Sequence, residues 1–532
     1  MKSKKNYSNR KLILDLLIHF SPKRKKQLLL LLLLVLLSAV SEIFSLAAFI
    51  PFLAVLSDSQ ELLKNPKIFA ITNFFELNDL NQILFFTTTI FISCILITVT
   101  IRLSSLWLSG RMAALLGSDL SCEVYRKTLY QPYIVRIQRN SSEVINTTTN
   151  QINITMSVIR NLLQFINGLI ISTFLFVGML FINWRIATSS AFIFGFAYLM
   201  LGLTANRRLS SNSQIVSKAS EKQVKSLQEG LGAIRDVLMN NTQKTFTSIY
   251  EHYDRKMRKT QYESQFLTSF PRYSLEGLGL ILMSLIALSL SINNDKNNEV
   301  IPILGSLALA AQRILPTLQL TYSGWASIKS NNQSVQNVIN LLNQVEEIPP
   351  KILSSDRKRN FKNIRFSNVY YKYPSRKQNV LNKLDFTIKK GEKIGIVGVT
   401  GSGKSTLTDM MMGLLKPSKG NIYVDGIDIH KDKNSYANAF WRSKIANVPQ
   451  RIFLTDNSIY ENIALGERLE DIDMNRVREV SKQAQIINLI RNLPNGFNTF
   501  VGERGIKLSV GQAQRIGIAR ALYKNAKIIV FD

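Results

Sequence analysis

Ile394-Gly-Ile-Val-Gly-Val-Thr-Gly-Ser-Gly-Lys-Ser405 reads as a short apolar strand over Ile394 to Val397, a glycine-rich loop, and the start of a helix from Thr406 to Leu415. From Gly398 onward it fits G-x-x-x-x-G-K-[ST] in the strand-loop-helix setting that gives the pattern meaning. Gly398, Gly401 and Gly403 let backbone N–H groups turn toward phosphate oxygens, and the helix start adds the positive end of a dipole. Lys404 has the reach for the outer phosphates of a nucleotide, and the Ser405 hydroxyl suits Mg²⁺. Thr400, Ser402 and Thr406 complete the loop. A chance match over a chain this long is on the order of a few per cent, so the reading needs independent support.

Upstream, the sequence changes character. Gln27 to Leu56 reads QLLLLLLLVLLSAVSEIFSLAAFIPFLAVL, longer than the ~20 apolar residues that cross a bilayer core. Comparable runs follow at 82–108, 161–183, 186–204, 274–292 and 299–320, which predicts six spans. A signal peptide would not have a 26-residue basic region and so long an apolar run. Short cytoplasmic loops retain Lys and Arg. With both termini inside, segments 1–26, 109–156 and 205–272 carry 26 basic residues, whereas 57–81, 184–185 and 291–299 carry four. Lys11 to Phe20 mixes a heavy apolar face with charge, as a helix lying in the membrane interface would.

The chain has 532 residues, 66 Lys and Arg against 36 Asp and Glu, and a formal net charge of +30. Such a charge suits a nucleic-acid motor, but that reading needs the basic residues to form a groove with interleaved aromatics and leaves six spans unexplained, so no nucleic-acid partner is expected. Cys94 and Cys122 provide no disulfide framework, and His19, His252 and His430 form no zinc-ligand pattern.

Support for the phosphate loop comes from Leu508-Ser-Val-Gly-Gln512, followed by AQRIGIARAL and the apolar KIIVFD ending at Asp532. These resemble the signature helix and Walker B strand of ATP-binding cassette (ABC) transporters, and the resemblance covers essentially the whole chain. It implies an α-helical six-span transmembrane domain followed by an α/β P-loop NTPase domain, incomplete at its C-terminus. The expected divisions are an N-terminal segment with an interfacial elbow helix (1–26), the membrane domain (27–325), a linker (326–357) and the cassette (358–532). Residue roles carried over from the family make Tyr373 the aromatic that stacks on adenine and Gln450 the glutamine that senses Mg²⁺. Asp532 then holds Mg²⁺ through water. Ser509, Gly511 and Gln512 belong to the signature that meets the γ-phosphate bound by an opposing subunit. Tyr373 also reads as an ordinary strand aromatic beside Tyr370 and Tyr371.

Two departures stand out. Val510 replaces the usual third-place glycine of the signature, and a β-branched residue limits backbone freedom. Residues after Asp532 that would supply the general-base glutamate and switch histidine are absent from the sequence, and His430 lies upstream of the signature. The expectation is a chain that binds Mg·ATP, with its own hydrolysis in doubt.

The family pattern further implies a dimer, either of identical chains or with another half-transporter. Coupling helices are expected around Asn140 to Gln151 and around Gln228 to Asn240. Glu42, Arg102 and Arg313 are ionisable groups at membrane depth, where they pair or line a cavity; guanidinium binds phosphate oxygens in bidentate fashion. The stretches SEIFSLAAFIPFLAVL, LYQPYIVRIQRNSSEVI, QEGLGAIRDVL and AAQRILPTLQ are similar to the lipid-linked oligosaccharide flippase branch. That favours a lipid or lipid-linked glycan as cargo in the cytoplasmic membrane, with drugs, peptides or a non-hydrolysing regulatory role as alternatives.

Overall fold

The computed structural model describes residues 9–57, 80–182, 184–293, 300–350, 352, 361–431 and 436–532. Two compact units emerge: one comprises 1–129 and 139–344, the other 130–138 and 345–532. The loops 57–81 and 291–299, assigned outward from the sequence, lie almost wholly outside the described residues, as does most of the stretch 351–360.

The first unit opens with α1 (Asn9–Ile18) and α2 (Pro22–Ser57). Leu12 and Leu16 of α1, and Phe20 just after it, are buried, whereas Leu14 and Ile18 are exposed; this is the amphipathic split expected of an interfacial helix. Arg24 donates from Nε to Asp119 at 2.7 Å, and His19 Nε2 lies 3.0 Å from Asn343 Oδ1. The chain continues through α3 (Leu80–Leu129), the short α4 (Tyr133–Ile137) and α5 (Ser141–Asn146), and then one π-turn over Thr147–Gln151. Next come α6 (Ile152–Ile182), α7 (Trp184–Gly232), α8 (Ile234–Met239), α9 (Gln243–Asn293) and α10 (Val300–Ser330).

Each of the six apolar runs falls largely within one long helix: α2, α3, α6, α7, α9 or α10. At 50, 49 and 51 residues, α3, α7 and α9 are about 75 Å long, more than twice the hydrocarbon thickness. The apolar runs therefore continue as polar helix outside it. Among the described residues, Pro22–Ser45, Asn81–Leu129 and Ser141–Gly178 are long and apolar enough to cross a membrane. Leu29, Leu30, Leu96 and Leu103 are exposed, which in a bilayer is lipid-facing surface. Helices α6 and α10 meet on glycines. A Cβ on Gly168 would come 2.7 Å from Thr321 Oγ1, and one on Gly324 would come 2.7 Å from Phe165 Cβ. Without a hydrophobic drive between spans, such close backbone approach provides the packing.

The polar stretch after Trp325 differs from the sequence expectation of helix end and linker. It contains α11 (Asn332–Leu342), with Val335, Val338, Ile339, Leu341 and Leu342 buried in the first unit. Five apolar residues on one short helix need a partner surface, and they pack with Leu116, Leu120 and Val124 of α3. The first unit therefore extends to Gln344.

In the second unit, β1 (Asn363–Tyr371), β2 (Leu381–Lys389), α12 (Lys404–Met411), β3 (Lys419–Val424) and β4 (Ile427–Asp428) follow in order. The strands form an antiparallel sheet ordered β2-β1-β3-β4. Phe366 opposes Phe386 in register, their rings stacked at 4.5 Å. Further on, α13 (Tyr436–Lys444) leads into β5 (Ile445–Val448), and three short helices follow: α14 (Ile459–Ile463), α15 (Met474–Gln483) and α16 (Ile487–Arg491). Then α17 (Val510–Tyr523) precedes β6 (Ile528–Phe531), which pairs in parallel with β5.

One predicted strand is missing. Ile394 to Val397 has no ladder, and Val397 is 95% exposed. An apolar run forms a strand only when a neighbour supplies hydrogen bonds, and among the described residues none pairs with it.

Candidate functional site

The phosphate loop keeps its local form without that strand. Gly401 and Gly403 adopt φ of +85° and +97°, a region open to glycine at little cost. Gly403 is the N-cap of α12. A Cβ there would also come 3.1 Å from Val380 Cγ1, so glycine is required both by conformation and by space. The Lys404 ammonium curls over the loop, donating to the carbonyls of Gly398 at 2.7 Å and Val399 at 3.0 Å. Gly398, Thr400, Gly401, Ser402 and Ser405 are exposed. Thr406 is buried, its hydroxyl 3.2 Å from that of Tyr373. Tyr373 thus leans on α12 and meets the Tyr371 ring edge-on at 5.0 Å; it is half-buried against the sheet.

Gln450 and Asp532 come together through the parallel strand pair. Gln450 lies two residues beyond β5 and Asp532 follows β6 directly, with the Asp532 N–H donating to Val448 O at 3.1 Å. Both therefore sit at the carboxyl ends of adjacent parallel strands, where α/β folds place their ligands. The negative charge of Asp532 also reaches Asp409 on α12. Burial first, and Asp532 second, push the Asp409 carboxyl up to about 6. The helix that begins at Lys404 and the strand that ends at Asp532 are thus neighbours.

These groups fit a nucleotide with its metal. The N-terminal turn of α12 and Lys404 offer donors for phosphate, while Ser405, Gln450 and Asp532 offer the oxygen ligands that Mg²⁺ prefers. Among the described residues no group of three or more His, Cys, Asp and Glu could hold a metal by itself. A Mg²⁺ arriving with phosphates matches that donor set, since it keeps few protein ligands.

The signature residues form a capping box at the start of α17. Ser509 Oγ accepts from Gln512 N at 3.3 Å, and Gln512 Oε1 accepts from Ser509 N at 2.9 Å. Ser509, Val510 and Gly511 are exposed, and a Cβ on Gly511 would meet nothing within 4 Å. Val510 occupies the first helical position and is not among the described residues with positive φ, so its β-branch meets no backbone strain there. Among the described residues no hydrogen bond joins the signature to the phosphate loop of the same chain.

Three features escaped the sequence reading. Arg520 on α17 donates from Nε to Asn462 O at 2.8 Å and from Nη1 to Phe453 O at 3.1 Å. Fully buried Asn462 in turn receives the Thr455 N–H at 3.0 Å. The segment after Gln450 and the signature helix are therefore tied together. The available signal was an arginine set among buried Ile516, Ala519 and Tyr523. Burial lowers the Arg520 pKa.

The second missed feature is Asp409. The third is Tyr130–Gln138, which belongs to the second unit, with Tyr133 and Ile134 packed on its core and Glu347 N donating to Tyr130 O at 2.8 Å. Asn140 to Gln151, expected as a coupling segment, belongs to the first unit; Val144, Asn146 and Gln151 turn inward, and Ser220 Oγ donates to Asn146 Oδ1 at 2.8 Å. Gln228 to Asn240 includes α8, whose Ile234, Leu238 and Met239 are exposed. His430 is half-buried, and desolvation pulls its pKa down to about 4, so it is a neutral side chain.

At membrane depth, Arg102 Nη1 donates to Glu42 Oε1 at 3.2 Å. Arg313 lies in α10, but its side chain is outside the described residues.

Residues 28–312 match the family model described as ABC transporter transmembrane region, and 381–532 match that described as ABC transporter. An ATP-dependent lipid A-core flippase of Polaromonas sp. is 26% identical over 74% of this chain and 65% of its own length. The heterocyst differentiation ATP-binding protein HepA of Nostoc sp. is 28% identical over 74% of this chain and 63% of its own. The alpha-hemolysin translocation ATP-binding protein HlyB of Escherichia coli O157:H7 is 38% identical, over 42% of this chain and 30% of its own. The chain thus spans less than two thirds of these relatives. A solved bacterial Atm1-family ABC exporter with ATP bound superposes with a TM-score of 0.73 at 19% identity, covering 96% of this chain and 85% of that one, a likeness of fold.

Proposed function

The chain belongs to the ABC transporter family, its membrane domain fused to an ABC ATPase domain, and from that premise we propose that it uses ATP to export or flip a lipid or lipid-linked glycan. It acts as a dimer in the cytoplasmic membrane, termini inward, as the 26-to-four split of basic residues favours. The observation that carries the energy-coupling half is the convergence of α12, Gln450 and Asp532 at the ends of β5 and β6.

The roles follow from position. Backbone N–H groups from Gly401 to Ser405 and the Lys404 ammonium hold the phosphates, and Tyr373 borders the base. When bound, Mg²⁺ neutralises charge on the outer phosphates. Ser405, Gln450 and Asp532 would hold it. The exposed capping box of Ser509 and Gln512, with Gly511 beside it, is presented to the nucleotide of a second copy. The segments around Asn140 to Gln151 and around Gln228 to Asn240 pass closure to the spans, and the first follows directly on Tyr130–Gln138, whose Tyr133 and Ile134 pack on the cassette core. Glu42, Arg102 and Arg313 form the substrate path.

For the cargo, the flippase relative aligns over 74% of this chain, whereas the toxin translocator aligns over 42%. Reconstitution in liposomes, with the general-base glutamate and switch histidine restored after Asp532, tests the reading. Lipid-linked glycans or phospholipid-like amphiphiles should raise ATP hydrolysis several-fold, whereas soluble peptides should not. Stimulation by peptides alone would replace lipid export with peptide export.

A further inference from the structure

Helix α1 roofs a cavity of about 280 Å³ at the basic end of α2, with α3 and α6 as its other walls. Ile13, Leu16, Leu28, Val35, Leu116 and Ile159 give the wall its apolar character, and a wall of this chemistry holds apolar ligands rather than water. The rim faces the bilayer. Leu32 and Leu106 line the cavity yet are 41% and 58% exposed, and both lie in helices long and apolar enough to cross a membrane. Hydrocarbon is therefore the medium at the mouth.

Charge is arranged around that mouth. Lys23, Lys25 and Lys26 come immediately before the apolar run of α2 and are exposed, at the level where lipid headgroups lie. Lys25, Leu28, Leu32 and Val35 recur at the i, i+3, i+7, i+10 spacing of one helix face, and the last three line the cavity. Lys25 thus sits one turn from its entrance. Arg24 is committed elsewhere, donating to Asp119 from Nε at 2.7 Å and Nη2 at 3.3 Å, and to Gln27 Oε1 from Nη1 at 3.0 Å. It ties the start of α2 to α3, and the three lysines carry the outward-facing charge.

We propose that this cavity holds one acyl chain of an anionic phospholipid, its headgroup at Lys23, Lys25 and Lys26, as a resident lipid and not as cargo. At ~30 Å³ for each water-sized group, the space takes roughly ten chain carbons. The stretch of α2 from Leu28 to Val35 rises ~10 Å, a matching length. Burial of the chain supplies affinity whatever the headgroup, and the lysines select its charge. The chain fills the gap between α1 and the core that α1 shares with α2, α3, α6 and α11, so lipid composition sets how firmly α1 is seated. None of this depends on what the exporter carries.

The test is native mass spectrometry of the detergent-solubilised chain with three probes: phosphatidylglycerol, phosphatidylcholine of the same acyl chains, and glycerol phosphate. Wild type should retain one phosphatidylglycerol per chain, preferred ~10-fold or more over phosphatidylcholine, and glycerol phosphate should not displace it. Ser109→Phe, which puts a ring into the cavity from α3, should abolish that retention, together with the rise in melting temperature that phosphatidylglycerol gives wild type. The combined Lys23→Gln, Lys25→Gln and Lys26→Gln variant should keep a chain but lose the preference for charge. It alters exposed positions alone, so it decides the matter even if Ser109→Phe does not fold. Retention that survives Ser109→Phe in a folded protein places the lipid elsewhere and overturns the proposal. Equal retention of the two phospholipids by wild type, or an unchanged preference in the lysine variant, overturns it as well. Retention by the monomer but not by the dimer gives the cavity to a second copy of the chain, with the same result. Displacement of the phosphatidylglycerol by an equal amount of polyprenyl phosphate would put resident and cargo in one site and end the distinction. Each of these failures leaves lipid export standing.

Discussion

The phosphate loop and the Glu42–Arg102 pair both hold a charged side chain in a set place, but the chain assembles them by opposite routes. The loop is written in consecutive residues, with Gly401, Gly403 and Lys404 adopting their geometry even though Ile394 to Val397 forms no strand. The pair joins side chains 60 positions apart, and exists only because α2 and α3 pack side by side. One site is fixed by local backbone chemistry and the other by tertiary packing, so damage to each should stay in its own unit.

The strongest challenge to that separation is Lys404→Ala. Loss of a charge-assisted contact worth ~1.5–3 kcal/mol should weaken ATP binding by roughly 10- to 100-fold, read by titration with a fluorescent nucleotide. Lipid binding in the same preparation should be unchanged; a parallel loss would break the comparison.

Its mirror image is Gly324→Leu. Forcing a side chain into the α6–α10 crossing should cost about 1–3 kcal/mol, visible as a lower melting temperature in detergent, with nucleotide affinity retained. An unchanged melting temperature would mean that the crossing has room, contrary to the 2.7 Å approach of a Cβ there.

Legibility in the sequence divides along the same line. The six spans, the phosphate loop, the signature and the strand before Asp532 were readable because periodicity or contiguous motif residues encode them. Asp409 and Asn462 were not, since their importance comes from neighbours far along the chain: Asp532 for one, Arg520 for the other. Asn332–Leu342 looked like linker because its apolar residues are diluted by Asn, Gln and Ser. Only the surface of α3 reveals what they bury against. Tyr130–Gln138 is hard to read in the sequence because its five-residue helix leaves little periodic signal. The missing strand at Ile394 to Val397 is the converse case, an apolar run whose secondary structure depends on a partner.

A finer test lies inside the second unit. The Asp409 carboxyl has its folded pKa raised to about 6 from 3.8, so the native state holds a proton that the unfolded chain has lost. This group's contribution therefore makes stability fall as pH rises from about 4 through 6. Asp409→Asn should melt higher than wild type at pH 7.5, with the advantage shrinking toward pH 4, by thermal denaturation across that range. An advantage independent of pH would remove the ionisation as its cause. His430, held down at about 4 by burial, works in the opposite sense: it adds stability above its unfolded pKa of 6.5 that is lost as pH falls through 4.

The smallest effect concerns the signature. Val510 is exposed at the first helical position, so Val510→Gly should change stability by less than about 1 kcal/mol and leave ATP affinity within two-fold. A large gain in affinity would mean that the β-branch restrains the signature after all.

The central claim is that the cassette's nucleotide chemistry drives a phosphate-bearing lipid through the membrane unit. It is tested most directly by transbilayer transfer of a fluorescent polyprenyl phosphate in proteoliposomes containing the protein with the general-base glutamate and switch histidine restored after Asp532, with and without Mg·ATP. The account predicts ATP-dependent transfer that Lys404→Ala abolishes and that exceeds transfer of the uncharged polyprenol. Transfer of both lipids at equal rates, or none of either while a peptide is moved, would contradict it.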